Sequence, residues 1–158
     1  MPSNPSNKLN KTELAKVAPI IAKLKRSIGS RYMSESERKA LEKPSFWVSD
    51  AKPRRKADKA GNSEVVYKVS RLALSLGSIV KVGEFYMALS GIDKYGYAIE
   101  LYDSEAKMID SFRARKGIVE CKLSDNIEVC LEIKEAFELG LEGKLKIVVG
   151  YVGLGPGQ

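Results

Sequence analysis

Residues 64–76 read EVVYKVSRLALSL, and this stretch decides the class of fold. Apolar residues occupy every second position, first from Val65 to Val69 and then from Leu72 to Leu76. A period of two is typical of a half-buried β-strand. The stretch therefore predicts that a β-sheet begins near residue 64.

Further strand-like segments follow to the end of the chain. They are separated by short connections rich in Gly, Asp, Asn and Ser, which favour turns. Several strands at such spacing are typical of an antiparallel sandwich or barrel. A helix is the open alternative for residues 134–139. The predicted strands lie near residues 79–90, 95–103, 107–113, 117–123, 126–134 and 144–152.

A helix is predicted ahead of the sheet. Apolar residues recur at helical spacing from Leu14 to Ile28, and Asn10 with Glu13 resembles a capping box. We predict a helix over residues 11–28, bent at Pro19, which lacks a backbone N–H. Such a stripe normally packs on its own domain, and the alternatives are packing on a neighbouring subunit or lying on an anionic surface.

The segment between this helix and the sheet has two parts. Ser34 and Glu37 form a second capping-box pattern, which predicts a short helix that ends before Pro44. Residues 45–63 show no periodicity and are read as an exposed basic linker. The predicted fold class is thus α+β, with a basic helical N-terminal arm (1–63) followed by an antiparallel β-sandwich or barrel domain (64–158).

Charge is distributed unequally between these two segments. Residues 1–63 hold fifteen Lys or Arg and six Asp or Glu, a net charge of +9, whereas residues 64–158 hold twelve and fourteen, a net charge of −2. The sum matches the overall charge of +7. This asymmetry indicates a nucleic acid or another acidic surface as the partner of the first segment.

The composition excludes several classes of protein. Without histidine, the chain has no Ser-His or Cys-His nucleophile pair and no His-ligated metal site. Two cysteines are too few for a structural zinc site, and we predict no cofactor. No run approaches the roughly 20 apolar residues of a membrane-spanning helix, and the first residues are too polar for a signal peptide. We expect an intracellular protein, or one assembled within a virion.

The candidate nucleic-acid-binding residues lie in the first segment. Cations release counterions when they contact phosphates, and arginine matches phosphate oxygens with two donors. A nearby aromatic ring adds a surface on which bases can stack. Two alternatives are a solvated linker and a tryptophan that packs on the sheet. The candidates are Lys23, Lys25, Arg26, Trp47, Lys52, Arg54, Arg55, Lys56 and Lys59.

An enzymatic alternative rests on a carboxylate–lysine pattern. Asp110 is followed by Glu120 and Lys122, which locally resembles the motif of PD-(D/E)xK nucleases. In that group the carboxylates hold Mg²⁺ and the lysine positions water. The proline of the motif is absent, and Glu-x-Lys occurs at five places in this Lys- and Glu-rich chain. Cross-strand charge pairs also account for such a pattern.

The two cysteines lie on a predicted hairpin around residues 124–126. The register that keeps apolar residues on one face sets Cys121 opposite Val129. A shift by one residue would set Cys121 opposite Cys130, but it would also set apolar residues against glutamates. We therefore predict that Cys121 points inward, that Cys130 points outward, and that they are not bridged.

The functional prediction follows from the charge distribution. We expect a non-enzymatic structural protein associated with nucleic acid, such as a coat or nucleoprotein subunit (a capsid protein of a virion). The basic arm would contact phosphates without reading sequence, because no helix-turn-helix, zinc finger or RNP motif is present. The β domain would make protein–protein contacts in a homo-oligomer. The alternatives are the Mg²⁺-dependent nuclease and an accessory protein of a ribonucleoprotein.

Overall fold

The computed structural model describes residues 11–29, 33–57 and 63–151, which form two helices and ten strands. Helix α1 spans Lys11–Arg26 and is followed by a 3-10 turn, Ser27–Gly29, and helix α2 spans Glu35–Glu42. The strands are β1 (Ser45–Val48), β2 (Pro53–Ala57), β3 (Ser63–Ser75), β4 (Ser78–Val82), β5 (Phe85–Asp93), β6 (Gly96–Tyr102), β7 (Met108–Ala114), β8 (Val119–Ser124), β9 (Ile127–Phe137) and β10 (Gly140–Tyr151).

The strands form two five-stranded sheets, and neither closes into a barrel. The first sheet has the order β1-β4-β5-β6-β7 and the second β2-β3-β10-β9-β8. Every ladder among β3 to β10 is antiparallel, as expected for the β domain. One ladder departs from this pattern, because β1 pairs with β4 in parallel.

The segment 45–63 differs from the expected linker. It contributes an edge strand to each sheet, with Phe46 paired to Ile79 and Arg54 paired to Val66. These strands have four and five residues, too few to display a period of two in a sequence that also contains prolines. Their pairing is decided by the neighbouring strands. Residues 58–62 lie outside the described ranges.

Two predicted elements in the sheets also differ. The single strand expected over residues 79–90 is a hairpin of β4 and β5 that turns at Gly83, where φ is +62°. A β-carbon at Gly83 would lie 2.2 Å from the ring of Tyr67, so only a residue without a side chain fits at this position. The alternative helix over 134–139 is wrong, because β9 continues as a strand to Phe137.

The two sheets and the helices share one hydrophobic core. Phe85 of the first sheet makes an edge-to-face contact with Tyr67 of the second, at 5.8 Å between ring centroids. The Tyr97 hydroxyl donates to the carbonyl of Phe137 across the same interface, at 3.1 Å. The opposite face of the first sheet contacts α1 through Tyr86, whose hydroxyl donates to Glu13.

Helix α1 docks on the β domain, as its apolar stripe predicted. Val17, Ile20 and Leu24 are at most 1% exposed and belong to the shared core, whereas Leu14 remains 49% exposed. Val17 and Leu24 of the predicted stripe are thus buried, and Ile20 is more deeply buried than its neighbour Ile21, which packs at the margin of the core. The capping box of α2 is confirmed, with mutual hydrogen bonds between Ser34 and Glu37. Across the described ranges, neither helix is long and apolar enough to cross a membrane.

The predicted register of the cysteine hairpin is wrong. Cys121 lies directly opposite Cys130, and the two form a disulfide. A two-residue turn joins β8 and β9, with Asp125 at φ +52°, and this turn sets the register. The apolar residues Val119 and Leu123 are consequently 56% and 69% exposed. The edge strand tolerates this arrangement because, among the described strands, it has a neighbour on one side only.

Candidate nucleic-acid interface

Strand β2 divides the predicted basic cluster between two faces of the second sheet. Arg54 pairs with Val66 and Arg55 with Val65, so consecutive side chains project to opposite sides. Both arginines are exposed. The backbone of Lys56 pairs with Glu64, whereas Lys59 lies outside the described residues. Part of the cluster therefore lies on an edge strand. Charged residues on an edge strand can bind a partner, but they also prevent the edge from pairing with other strands.

Arg55 influences the edge of the core. Burial raises the pKa of Tyr67 above its ordinary value of 10.0, and the charge of Glu84 raises it further. The positive charge of Arg55 acts in the opposite direction without reversing the shift. Because Arg55 pairs with Val65, it lies on the same face of the sheet as Tyr67 and on the opposite face from Arg54.

The three candidate cations of helix α1 fall into two groups. Lys23 lies 3.5 Å from Glu100 and 5.7 Å above the ring of Tyr102, so the β domain already compensates its charge. Lys25 and Arg26 are exposed, and neither forms an ion pair with a described residue. They remain available to an anionic partner.

Trp47 and Lys52 occupy different settings. Trp47 lies in β1, is half-buried and packs against the hydrophobic core. Lys52 immediately precedes β2 and is exposed. The structure places Trp47 at the edge of the first sheet and the β2 arginines at the edge of the second.

Three lysines that the sequence analysis did not select lie on the second sheet. Lys68 of β3 is directly opposite Lys146 of β10, and Lys144 lies two positions along β10 on the same face. All three are exposed. None forms an ion pair with another residue in the described part of the chain.

Arg54 belongs to the same surface. Its partner Val66 lies two residues before Lys68 on β3, and residues two apart on a strand share a face. Arg54, Lys68, Lys144 and Lys146 thus form one exposed group of cations on the outer face of the second sheet, hereafter the basic face. The alternation around Tyr67 and Leu145 predicts that these lysines point outward, but only the pairing of β3 with β10 brings them together.

A groove of about 570 Å³ runs along the basic face. The three lysines line it together with the Cys121–Cys130 disulfide. Glu132 also lines it, and its carboxylate pairs with Lys134 at 3.1 Å. The groove thus combines an apolar, covalently fixed wall with ammonium groups.

The spacing of these lysines is electrostatically unfavourable without an anion. Opposite residues of antiparallel strands have Cα atoms about 4.5–5.5 Å apart, and like charges placed there destabilise the sheet. Glu64 and Glu128 lie on the same face, but neither forms an ion pair with Lys68 or Lys146 in the described ranges. A bound phosphate would relieve this repulsion.

The residues of the nuclease alternative lie on edge strands of different sheets. Asp110 is on β7 opposite Leu101, whereas Glu120 and Lys122 are on β8 opposite Leu131 and Val129. The Asp110 carboxylate accepts a hydrogen bond from the backbone N–H of Ser111 at 2.8 Å. In the described part of the chain, no three acidic or cysteine residues come together as a metal site would require.

Comparison of the chain with protein families, with curated proteins and with solved structures gives no match.

Proposed function

We propose that the protein is a non-enzymatic structural protein of the coat or nucleoprotein type, and that it binds the nucleic-acid backbone through its basic face. The observation that carries this proposal is the position of Lys68 directly opposite Lys146, with no acidic partner for either in the described residues. Phosphate contacts would neutralise this pair and release counterions.

The N-terminal segment supports the proposal through its exposed cations. Six of the predicted arm residues have described cationic side chains, and Lys23 is the one among them that pairs with an acidic residue of the β domain. Lys25, Arg26, Lys52, Arg54 and Arg55 are exposed without such a partner in the described ranges. Arg54 belongs to the basic face, so the arm and the sheet contribute to one binding surface.

The β domain would carry the protein–protein contacts of an oligomer. We infer that its two sheets act as an open sandwich, because apolar residues of both sheets contact one another in the shared core. The edges of such a sandwich remain available for association. Binding through phosphates would leave the protein indifferent to base sequence.

The proposal is tested by fluorescence anisotropy with labelled single- and double-stranded oligonucleotides of unrelated sequence. We expect comparable affinities within each class. A Lys68→Gln/Lys146→Gln variant should bind all of them more weakly by a similar factor. The control variant, Lys94→Gln/Lys107→Gln, removes the same charge from exposed turns of the first sheet and should bind as the wild type does.

Two results would contradict the proposal. Equal losses of affinity in both variants would show that net charge, rather than the basic face, determines binding. Cleavage of the oligonucleotide in Mg²⁺ but not in EDTA, abolished by Glu120→Ala, would identify the nuclease alternative instead.

A further inference from the structure

Strand β8 is an edge strand whose charges form no ion pair with a described residue of their own sheet. Among the described residues it pairs with β9 alone. Glu120 is opposite Leu131, and Lys122 is opposite Val129, so both charges face apolar residues across the ladder. The other edge of β8 presents its backbone N–H and C=O groups to a further strand.

The sequence of β8 is complementary to itself. When two copies run antiparallel about a two-fold axis through Cys121, Glu120 of each copy lies opposite Lys122 of the other. Val119 then lies opposite Leu123, and these two side chains are 56% and 69% exposed in the single chain. One face of the junction would carry two ion pairs and the other two apolar pairs.

Neighbouring registers lack this complementarity. A two-fold axis perpendicular to the sheet places residues of the outer face of one copy opposite residues of the outer face of the other. The axis must then pass through a residue of β8, so the neighbouring registers are those in which it passes through the residue before or after Cys121. An axis at Glu120 would oppose two glutamates, and an axis at Lys122 would oppose two lysines. The charges on β8 therefore select the register centred on Cys121 and penalise its neighbours.

We propose that two copies of this chain associate through their β8 edges, in the register centred on Cys121, to form one continuous sheet of ten strands. The inference deepens the proposed function by naming the partner of the β domain, and it does not require nucleic-acid binding. The two-fold axis is perpendicular to the sheet, so both basic faces lie on the same side. A nucleic acid that spans the axis could then contact both copies.

The charge pairs give a reciprocal test of this interface. Light scattering of the nuclease-treated chain of 158 residues should give twice its mass of 17.4 kDa. Glu120→Lys alone and Lys122→Glu alone each place like charges opposite one another and should give the monomer mass. An equimolar mixture of the two variants makes both pairs complementary and should restore the double mass.

Two matched controls separate the interface from a general charge effect. Glu138→Lys and Lys107→Glu make the same changes of charge at exposed turn positions and should leave the double mass unchanged. Circular dichroism of every variant checks that the fold is retained. A monomeric wild type would overturn the proposal, as would an oligomer that neither β8 substitution dissociates.

A cross-linking experiment checks the register independently. In a Cys130→Ser variant, Cys121 has a free thiol at the two-fold axis. A diazene oxidant that accepts two protons and two electrons should join the two Cys121 thiols of a dimer, giving a reducible band of double mass. An absence of this band under dimer-forming conditions would contradict the register.

Anisotropy of the β8 variants distinguishes this proposal from the function proposed above. Monomeric variants that still bind oligonucleotides support both proposals, because the basic face is intact. A wild-type dimer that binds no nucleic acid would contradict the function and leave the interface standing.

Discussion

Substitution of Glu13 by glutamine tests how helix α1 is fixed to the first sheet. One carboxylate oxygen of Glu13 accepts a hydrogen bond from the Tyr86 hydroxyl at 2.6 Å, and the other pairs with Lys81. Tyr86 is 1% exposed. The substitution keeps the shape of the side chain and removes its charge, so it weakens both contacts without opening a cavity.

The hydrogen bond from Tyr86 determines the expected magnitude. Hydrogen bonds to charged groups contribute about 1.5–3 kcal/mol, whereas partly exposed ion pairs contribute about 0–1 kcal/mol. The side chains of Lys81 and Glu13 are 26% and 20% exposed to solvent, and this exposure limits the contribution of their ion pair to stability. We expect Glu13→Gln to lower the free energy of unfolding by about 2 kcal/mol. For a chain of this size, that corresponds to a decrease in Tm of roughly 4–8 °C.

The pH dependence of the effect has a defined sign. Burial raises the pKa of Glu13, but hydrogen bonds from Lys81 and Tyr86 and the charges of Lys81 and Lys16 lower it below 4.5 overall. A carboxylate with a lowered pKa stabilises the fold above the unfolded-state pKa. This contribution is lost as pH falls through the folded-state pKa. The difference in Tm between wild type and Glu13→Gln should therefore be largest at neutral pH and shrink well below pH 4.5.

Thermal unfolding followed by circular dichroism at neutral and acidic pH measures this difference. Glu35→Gln is the control, because Glu35 pairs with Lys39 at 3.6 Å but its side chain is 70% exposed. The control should change stability by less than about 0.5 kcal/mol. A Glu13→Gln variant as stable as the wild type at neutral pH would refute the reasoning. So would a deficit that persists unchanged at acidic pH.

Three further substitutions test the core, the disulfide and a close backbone approach, each by urea unfolding. Leu24→Ala empties a site that is 0% exposed, and we expect a loss of about 3 kcal/mol. Cys121→Ser/Cys130→Ser opens a loop with a sequence separation of 9 and should lower the free energy of unfolding by about 2.5 kcal/mol. The wild type should show no free thiol in denaturant without reductant. Gly143→Ala would place a β-carbon 2.1 Å from the carbonyl oxygen of Glu132, and should cost about 1–3 kcal/mol. Unchanged midpoints would contradict the contacts on which each prediction depends.

Local sequence signals predicted the helices well. Ser34 and Glu37 of the capping box are separated by less than one helical turn. The spacing of Val17 and Leu24 places both residues on one face of a helix. Such signals require no knowledge of distant partners. The alternation in β3 likewise indicated a strand, although the sheets begin earlier, with β1 and β2.

Features that depend on pairing between strands were less predictable. The register of Cys121 against Cys130 followed from turn geometry at Asp125, which outweighed the apolar pattern on an edge strand. Lys68 and Lys146 are far apart in sequence, and the sheet order alone makes them neighbours. The basic cluster in the first segment was visible as composition, but its division between two faces required the ladder between β2 and β3.

The salt dependence of nucleic-acid binding tests the central proposal most directly. If the four cations of the basic face each contact a phosphate of duplex DNA, the slope of log K against log salt should be about −3.6 or steeper. The Lys68→Gln/Lys146→Gln variant should lessen that slope by about 1.8. A slope near zero, or a slope that is the same in the wild type and this variant, would contradict binding of the nucleic-acid backbone by the basic face.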